Sequence, residues 1–159
     1  MVLCVARLEV EKDIMKITLP GEFTTLNEYI DAERTNRYAA AELKKSETMR
    51  VKLDTLDVDC YRFSYPLDVT VVWYRANRRS DPDNVSAAIK FILDGLQHSN
   101  VIEGDGWKHI NSICHVFEID KNNPRVEIHL ESVGKTEPKM SNYYPDGSQV
   151  DLFEQKIDF

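Results

Sequence analysis

The chain has 159 residues, 42% of them hydrophobic, so it is long enough for one well-buried core and too short for two. No apolar run reaches the length of a membrane-spanning helix, and acidic residues interrupt the apolar start MVLCVARLEVEKDIMK, unlike a signal peptide. We therefore expect a soluble, cytoplasmic protein. The three cysteines are widely spaced and form no C-x-x-C, which indicates neither a disulfide framework nor a zinc finger.

The net charge of -7 argues against a nucleic-acid partner, because affinity for phosphates comes chiefly from Lys and Arg. The distribution of charge points the other way. Between residues 34 and 52, six basic residues stand against two acids, and three arginines precede Asp81. These basic residues are Arg34, Arg37, Lys44, Lys45, Arg50, Lys52, Arg75, Arg78 and Arg79. An acidic protein with one basic face is the expectation.

The first half of the chain predicts one strand and one long helix. The segment KITLP has strand character and ends at a Pro-Gly turn, and a loop containing TTLNEYI follows. From about residue 35 to 56, helix formers without Pro or Gly predict one basic helix. Its lysine-rich face is equally consistent with a solvated surface.

The second half predicts strands around a second helix. Residues 61–76 are rich in aromatic and β-branched side chains and predict a strand, or two strands broken near Pro66. After the helix, HINSICHVFEID and RVEIHLESV alternate around the turn KNNP and predict a hairpin.

This order predicts an α+β fold, a single domain with a mixed or antiparallel sheet packed against two main helices. Three segments follow along the chain. Residues 1–14 form an extension or first strand, 15–132 the domain, and 133–159 a polar tail.

The stretch RRSDPDNVSAAIKFILDGL, residues 78–96, predicts the second helix. At roughly 100° per residue, five side chains form its core face: Val85, Ala88, Ile89, Ile92 and Leu96. Asp83, Lys90 and Asp94 fall within about 20° of each other on the opposite side.

Two interpretations fit this polar stripe. In the first, Ser80 or Asp81 caps the helix, Pro82 is its first residue, and Lys90 and Asp94 form an i,i+4 ion pair. In the second, a Gly-bounded turn with Glu103 and Asp105 folds a third carboxylate back to Asp81 and Asp83. Three acids beside a lysine have the composition of a metal-dependent phosphoryl-transfer site.

Other metal motifs fit less well. The calcium loop pattern fails, because Ser86 stands in place of its glycine and Ile92 in place of its terminal glutamate. The histidines and Cys114 have no recognised zinc spacing.

Several ordered motifs resemble the RusA-type Holliday junction resolvases, over roughly residues 15–132. The match consists of DPDN at 81–84, Lys90 on the following helix, DGL at 94–96 and the acidic turn EGD at 103–105. The segment TLNEYIDAERTNRYAAAELKK, residues 25–45, also resembles that family's entry segment. The spacing from Asp83 to Lys90 is longer than in some members, and Gly104 replaces one acid of the usual pair.

The resemblance implies a homodimeric endonuclease of recombination and repair that cleaves four-way junction DNA. It implies that Asp81, Asp83 and Asp105 bind Mg²⁺, or Mn²⁺ in its place, and that Lys90 is the essential cation beside them. With Gly104 in place of an acid, Asp105 is the better candidate ligand and Glu103 is the alternative. Eight residues are candidates for DNA contacts, with a solvated surface as the alternative for each basic one: Asn27, Arg34, Arg37, Lys44, Lys45, Arg78, Arg79 and Lys108.

Two aromatic residues, Tyr29 and Trp107, each have two possible roles. Tyr29 contacts DNA or a dimer partner, or is a buried tyrosine of a structured loop. Trp107 stacks on an unpaired base or packs on the core.

The tail carries SQVDLFEQ, in which Gln149, Asp151, Leu152 and Phe153 resemble the peptide by which bacterial proteins bind the sliding clamp. The alternative is that Leu152 and Phe153 pack on this protein's own core or its dimer mate.

Two other functions compete with the nuclease. One is a junction-binding or clamp-recruited protein that no longer cuts. A metal-dependent sugar transferase is disfavoured, because the chain is too short for a nucleotide-sugar domain and lacks a Gly-rich phosphate loop.

Overall fold

The computed structural model describes residues 7–11, 14–56, 58, 63 and 65–133. Their elements, in chain order, are β1 (Arg7–Glu11), β2 (Ile14–Pro20), α1 (Leu26–Thr35), α2 (Arg37–Asp54), β3 (Leu67–Arg75), α3 (Pro82–Ser86), α4 (Ile89–His98), β4 (Ile110–Ile119) and β5 (Arg125–Ser132). The strands form one mixed sheet in the order β1-β2-β5-β3-β4. The predicted α+β class is confirmed, and β1 gives residues 7–11 a place in the sheet.

Strand β3 is an inner strand, between β5 and β4, and its sequence is rich in apolar residues. Four alternate side chains, Leu67, Val69, Val71 and Trp73, are at most 1% exposed. Its neighbour β5 adds Val126, Ile128 and Leu130 to the same face, and β2 continues that face beyond β5. The buried face of the sheet is therefore built on β2, β5 and β3.

The predicted hairpin of the last two strands is wrong. Strand β3 lies between them, parallel to β4 and antiparallel to β5. The connection from β4 to β5 crosses the end of β3, where the Asp120 backbone N–H donates to the Arg75 carbonyl at 2.9 Å. Alternation indicated two strands correctly, but it carries no information about which strand stands between them.

Helix α1 replaces the predicted loop. Thr25 caps it, with the Thr25 hydroxyl accepting from the Glu28 N–H and the Glu28 carboxylate accepting from the Thr25 N–H. This reciprocal capping box, T-x-x-E, was the local signal for a helix start. The predicted basic helix is confirmed as α2, which begins after Asn36.

Helix α2 packs on α4 at Gly95. A Cβ added there would lie 2.9 Å from the Thr48 carbonyl oxygen and 2.7 Å from Val51 Cγ1. Only glycine admits this approach of the two helices, which gives the glycine of the DGL motif a packing role.

The second predicted helix is interrupted. It forms as α3 and α4 around a turn at Ala87 and Ala88, where the Ala88 N–H donates to Val85 and the Phe91 N–H to Ala88. Such i→i−3 bonds wind the chain more tightly than an α-helix. The predicted core face persists, with Val85, Ala88, Ile92 and Leu96 at most 3% exposed and Ile89 packed against it.

This turn removes the basis for the predicted alignment of Asp83 with Lys90 and Asp94, because that alignment assumed an uninterrupted α-helix. Asp83 lies in α3 and Lys90 in α4, and no hydrogen bond or ion pair joins the two among the described residues.

Within the described ranges, none of the helices combines the length and apolar character needed to cross a membrane.

Candidate active site

Four side chains from three parts of the fold form one connected group through Lys90 and Asp94. Its ammonium lies 2.7 Å from Asp94 Oδ1, one turn along α4, and 2.8 Å from Asp105 Oδ2 in the loop before β4. The other Asp94 oxygen is 3.3 Å from the Lys44 ammonium of α2. We call Lys44, Lys90, Asp94 and Asp105 the Lys90 cluster, whose formal charges cancel.

The cluster shifts the pKa values of two members. The hydrogen bond from Lys90 is the main cause that lowers the pKa of the Asp105 carboxyl, against a smaller opposing effect of desolvation. The hydrogen bonds to Asp105 and then to Asp94 raise the pKa of Lys90. Lys90 therefore stays protonated and Asp105 ionised at neutral pH.

The predicted i,i+4 pair of Lys90 with Asp94 is confirmed. The glycine-bounded turn folds back onto α4, but among the described residues it does not complete the predicted group of three carboxylates with Asp81 and Asp83. It brings Asp105 to Lys90, fifteen positions earlier in the chain. The contact of Asp94 with Lys44 is a feature that the sequence did not indicate, because α2 and α4 are distant in the chain and only packing brings them together.

Asp81 and Asp83 lie at the start of α3, and both are exposed. Asp81 occupies the N-cap position and Pro82 the first turn, yet the Asp81 side chain makes no capping hydrogen bond. Asp83 accepts only a long contact, 3.5 Å, from the Asn84 side chain. In the described part of the chain neither carboxylate forms an ion pair. Helix capping thus does not account for the Asp81 side chain.

These carboxylates suit a hard divalent cation. The described residues contain no group of three or more His, Cys, Asp or Glu side chains placed to share a metal ion. Mg²⁺, however, is commonly bound by one or two carboxylates, with water and substrate phosphate completing its shell. Asp81 and Asp83, exposed and unpaired among the described residues, meet that smaller requirement. Asp105 is instead engaged by Lys90.

Packing restricts the side chain at Gly104, the position where the resembled family usually has an acid. A Cβ there would lie 2.7 Å from His109 Nδ1, so an acidic side chain requires the His109 ring to move. Glu103 is exposed, and its backbone N–H donates to the Tyr65 hydroxyl at 2.7 Å.

The DNA-contact candidates are all on the surface. Lys44 belongs to the Lys90 cluster, Arg34 is 3.8 Å from Asp31, and Arg37 lies over the Tyr38 ring. The others are exposed and have no ion pair with a described residue: Asn27, Lys45, Arg78, Arg79 and Lys108.

Two other arginines of the basic segments hold the fold together. Arg50 lies over the Phe23 ring and donates to the Glu22 carbonyl, while Arg75 pairs with Glu22 at 3.2 Å. These two arginines are therefore engaged within the fold and are not available to a ligand.

A small pocket of about 200 Å³ adjoins the Lys90 cluster. Tyr29 and Phe91, whose ring centres are 5.8 Å apart, are among its apolar lining, and Lys44 and Lys90 also line it. Tyr29 is half-buried here, which is close to the buried alternative for this residue. The sequence did not indicate this pocket, because it depends on α1.

No model of a known protein family matches this chain, and no curated protein matches it. The clamp-like residues Gln149, Asp151, Leu152 and Phe153 lie outside the described residues.

Proposed function

We propose that this chain is a RusA-type, Mg²⁺-dependent endonuclease that cleaves four-way junction DNA. The observation that carries the proposal is the 2.8 Å contact between Lys90 and Asp105. Two residues singled out as members of one site, from separate segments, meet on α4, which follows α3 and its Asp81 and Asp83 in the chain. The fold supplies this meeting through packing of the loop before β4 against α4.

The proposed reaction is hydrolysis of a phosphodiester. The water oxygen bonds to phosphorus, the bond to the 3′ oxygen breaks, and that oxygen leaves as a hydroxyl. Asp81 and Asp83 would hold Mg²⁺, which supplies Lewis-acid stabilisation of the phosphate and the leaving oxygen.

Lys90 supplies a fixed positive charge to this reaction. Because Asp94 and Asp105 orient its ammonium from two sides, it can face the developing phosphate charge without reorganisation. Asp94 and Asp105 act as positioning residues in this arrangement. Because Lys90 engages Asp105, its proposed role as a third metal ligand would require the carboxylate to be shared between Lys90 and Mg²⁺. Arg78, Arg79 and Lys45 contact the DNA backbone, which positions a duplex without reading its sequence.

A homodimer is part of the proposal, since cutting two opposing strands requires two sites. Strand β4 supports it. In the described part of the chain β4 pairs only with β3, and its Ile113, Phe117 and Ile119 are 38–45% exposed on the face that β3 buries. An exposed apolar edge strand of this length is suited to pair with a second copy.

We also propose that the tail binds the bacterial sliding clamp and that the protein acts in the cytoplasm. The clamp contact rests on the sequence of residues 149–153 alone. Lack of measurable affinity between a peptide of residues 141–159 and the clamp would remove that partner. Action on bacterial or phage DNA implies the cytoplasm.

A junction-cleavage assay with Asp83→Asn tests the proposed site. We expect cleavage to be abolished while junction binding and the folded fraction stay near wild type, because Asp83 makes no ion pair in the described fold. Glu131→Gln, an exposed acid on β5, is the matched control and should retain cleavage. Retained cleavage by Asp83→Asn would remove Asp83 from the mechanism.

A junction-binding protein that does not cut is the second candidate. Gly104, packed on His109, stands where the resemblance implies an acid, and this favours a weaker metal site. Binding without cleavage by the wild-type chain, with Mg²⁺ and with Mn²⁺, would establish this alternative.

A further inference from the structure

Trp107 is 99% exposed, whereas the other tryptophan, Trp73, is 1% exposed. Trp73 lies in the core and donates from Nε1 to His115 Nδ1. Of the two alternatives for Trp107, packing on the core is therefore wrong. Its large aromatic surface is free to meet a ligand.

The loop that carries Trp107 is held in place on both sides. Val101 and Ile102 before it are buried, and the Tyr65 hydroxyl accepts the Glu103 N–H. After it, the His109 N–H donates to the Gly106 carbonyl at 2.8 Å, and the His109 ring packs edge-on to Tyr65. The backbone on both sides of Trp107 is thus held in place while its indole is exposed to solvent.

The position of the indole distinguishes it from other exposed apolar residues, which singly are ordinary on protein surfaces. Trp107 follows Asp105 by two residues, so its Cα lies within about 7 Å of the Cα of the residue that contacts Lys90. Lys108, exposed and adjacent, offers a cation for a neighbouring phosphate. An aromatic plane next to a cation is the combination that binds single-stranded nucleic acid.

We propose that Trp107 stacks on an unpaired base of branched DNA next to the Lys90 cluster. This inference rests on the proposed endonuclease function and adds the feature of the substrate that the site recognises. Stacking is tolerant of sequence because every base has a π-face, so Trp107 selects for an unpaired base and not for its identity. A base at the branch point of a four-way junction unpairs at lower cost than one inside a continuous duplex, where both neighbours hold it in the stack.

The test compares affinity for a four-way junction with affinity for a continuous duplex of equal length, both in EDTA so that no strand is cut. We expect Trp107→Ala to weaken junction binding about 5- to 150-fold, the range for loss of one aromatic–base stack. Duplex binding should be unchanged. Trp107→Phe should retain most junction affinity. Leu53→Ala, which removes a 59% exposed side chain near the end of α2, is the matched control.

Two further readouts separate stacking from other roles. Indole emission of the wild-type chain should be quenched, and protected from acrylamide, when the junction binds, and Trp107→Phe should lose this change. Sedimentation without DNA should give the same mass for Trp107→Ala and wild type. A smaller mass for the variant would instead assign Trp107 to an interface between copies and overturn the inference.

Unchanged junction affinity, or equal losses on junction and duplex, would also overturn it. The proposed function fails separately. If Trp107→Ala loses junction affinity selectively while the wild-type chain cuts no junction with Mg²⁺, stacking stands and the endonuclease proposal falls.

Discussion

Lys90 satisfies two carboxylates at once, and Asp94 in turn reaches a second lysine. This arrangement explains why acids and bases cluster on a surface without mutual repulsion. Because the Lys90 side chain is 55% exposed, solvent screens these ion pairs and their contribution to stability is small. The role of these ion pairs is to hold the Lys90, Asp94 and Asp105 side chains in place.

Lys90→Ala should release Asp105. Since the hydrogen bond from Lys90 is the main cause of the lowered Asp105 pKa, we expect that pKa to rise toward 3.8 in the variant. A carboxyl with a depressed folded pKa stabilises the fold above its ordinary pKa and loses that contribution as pH falls through the folded value. The Lys90–Asp105 contact should therefore persist at neutral pH and be lost only in acid, below pH 3.8.

Carboxyl NMR titration of Asp105 measures this change. Glu131→Gln serves as a control that leaves the Asp105 titration at its wild-type position. An Asp105 pKa that stays low in Lys90→Ala would show that another group stabilises the carboxylate.

At the scale of elements, the sequence indicated those features that depend on local chemistry. The long helix without Pro or Gly, the apolar strand β3 and Pro82 at a helix start were all readable. The partner of β4 was not, because alternation is the same whichever strand lies beside it. The turn at Ala87 and Ala88 was equally hidden, since two alanines favour a continuous helix.

The candidate site shows the same division. Lys90 and Asp94 could be paired from their spacing on one helix. Their contacts with Asp105 and Lys44 required tertiary packing that no local pattern specifies. That the Asp81 side chain forms no capping bond was also not readable, because Asp at an N-cap position normally provides one.

Gly95→Ala tests the crossing of α2 and α4. Alanine favours a helix by about 1 kcal/mol over glycine, but its methyl would collide with the Thr48 backbone oxygen, which cannot move independently. Overpacking of this kind costs about 1–3 kcal/mol, so we expect a net loss of unfolding free energy.

Urea unfolding followed by circular dichroism measures the effect. Gly106→Ala is the control, because a Cβ there meets nothing within 4 Å, and it should change stability by less than about 0.5 kcal/mol. Equal stabilities for Gly95→Ala and wild type would contradict the close packing of the two helices.

At the scale of the whole molecule, the sheet leaves apolar side chains of its β4 edge exposed. The buried face rests on β2, β5 and β3, while the continuation of that face onto β4 is left half-exposed. The net charge of -7 coexists with exposed basic residues, among them Arg78 and Arg79 before α3 and Lys45 next to Lys44 of the Lys90 cluster. We propose the β4 edge for contact with a second copy and the exposed basic residues for contact with DNA.

Phe117→Glu tests the proposed dimer. A charge on the exposed face of β4 should convert a dimer into a monomer in sedimentation experiments, because burying it unpaired is costly. Leu53→Glu, on the exposed side of α2, should leave the mass unchanged. A wild-type monomer, or a Phe117→Glu dimer, would remove β4 as the interface.

The endonuclease proposal is tested by mapping the products from one labelled four-way junction incubated with the wild-type chain and Mg²⁺. We expect paired nicks in two opposing strands, each with a 5′-phosphate and a 3′-hydroxyl, and none in EDTA. A junction that is bound by the chain but remains intact with Mg²⁺ and with Mn²⁺ would contradict it.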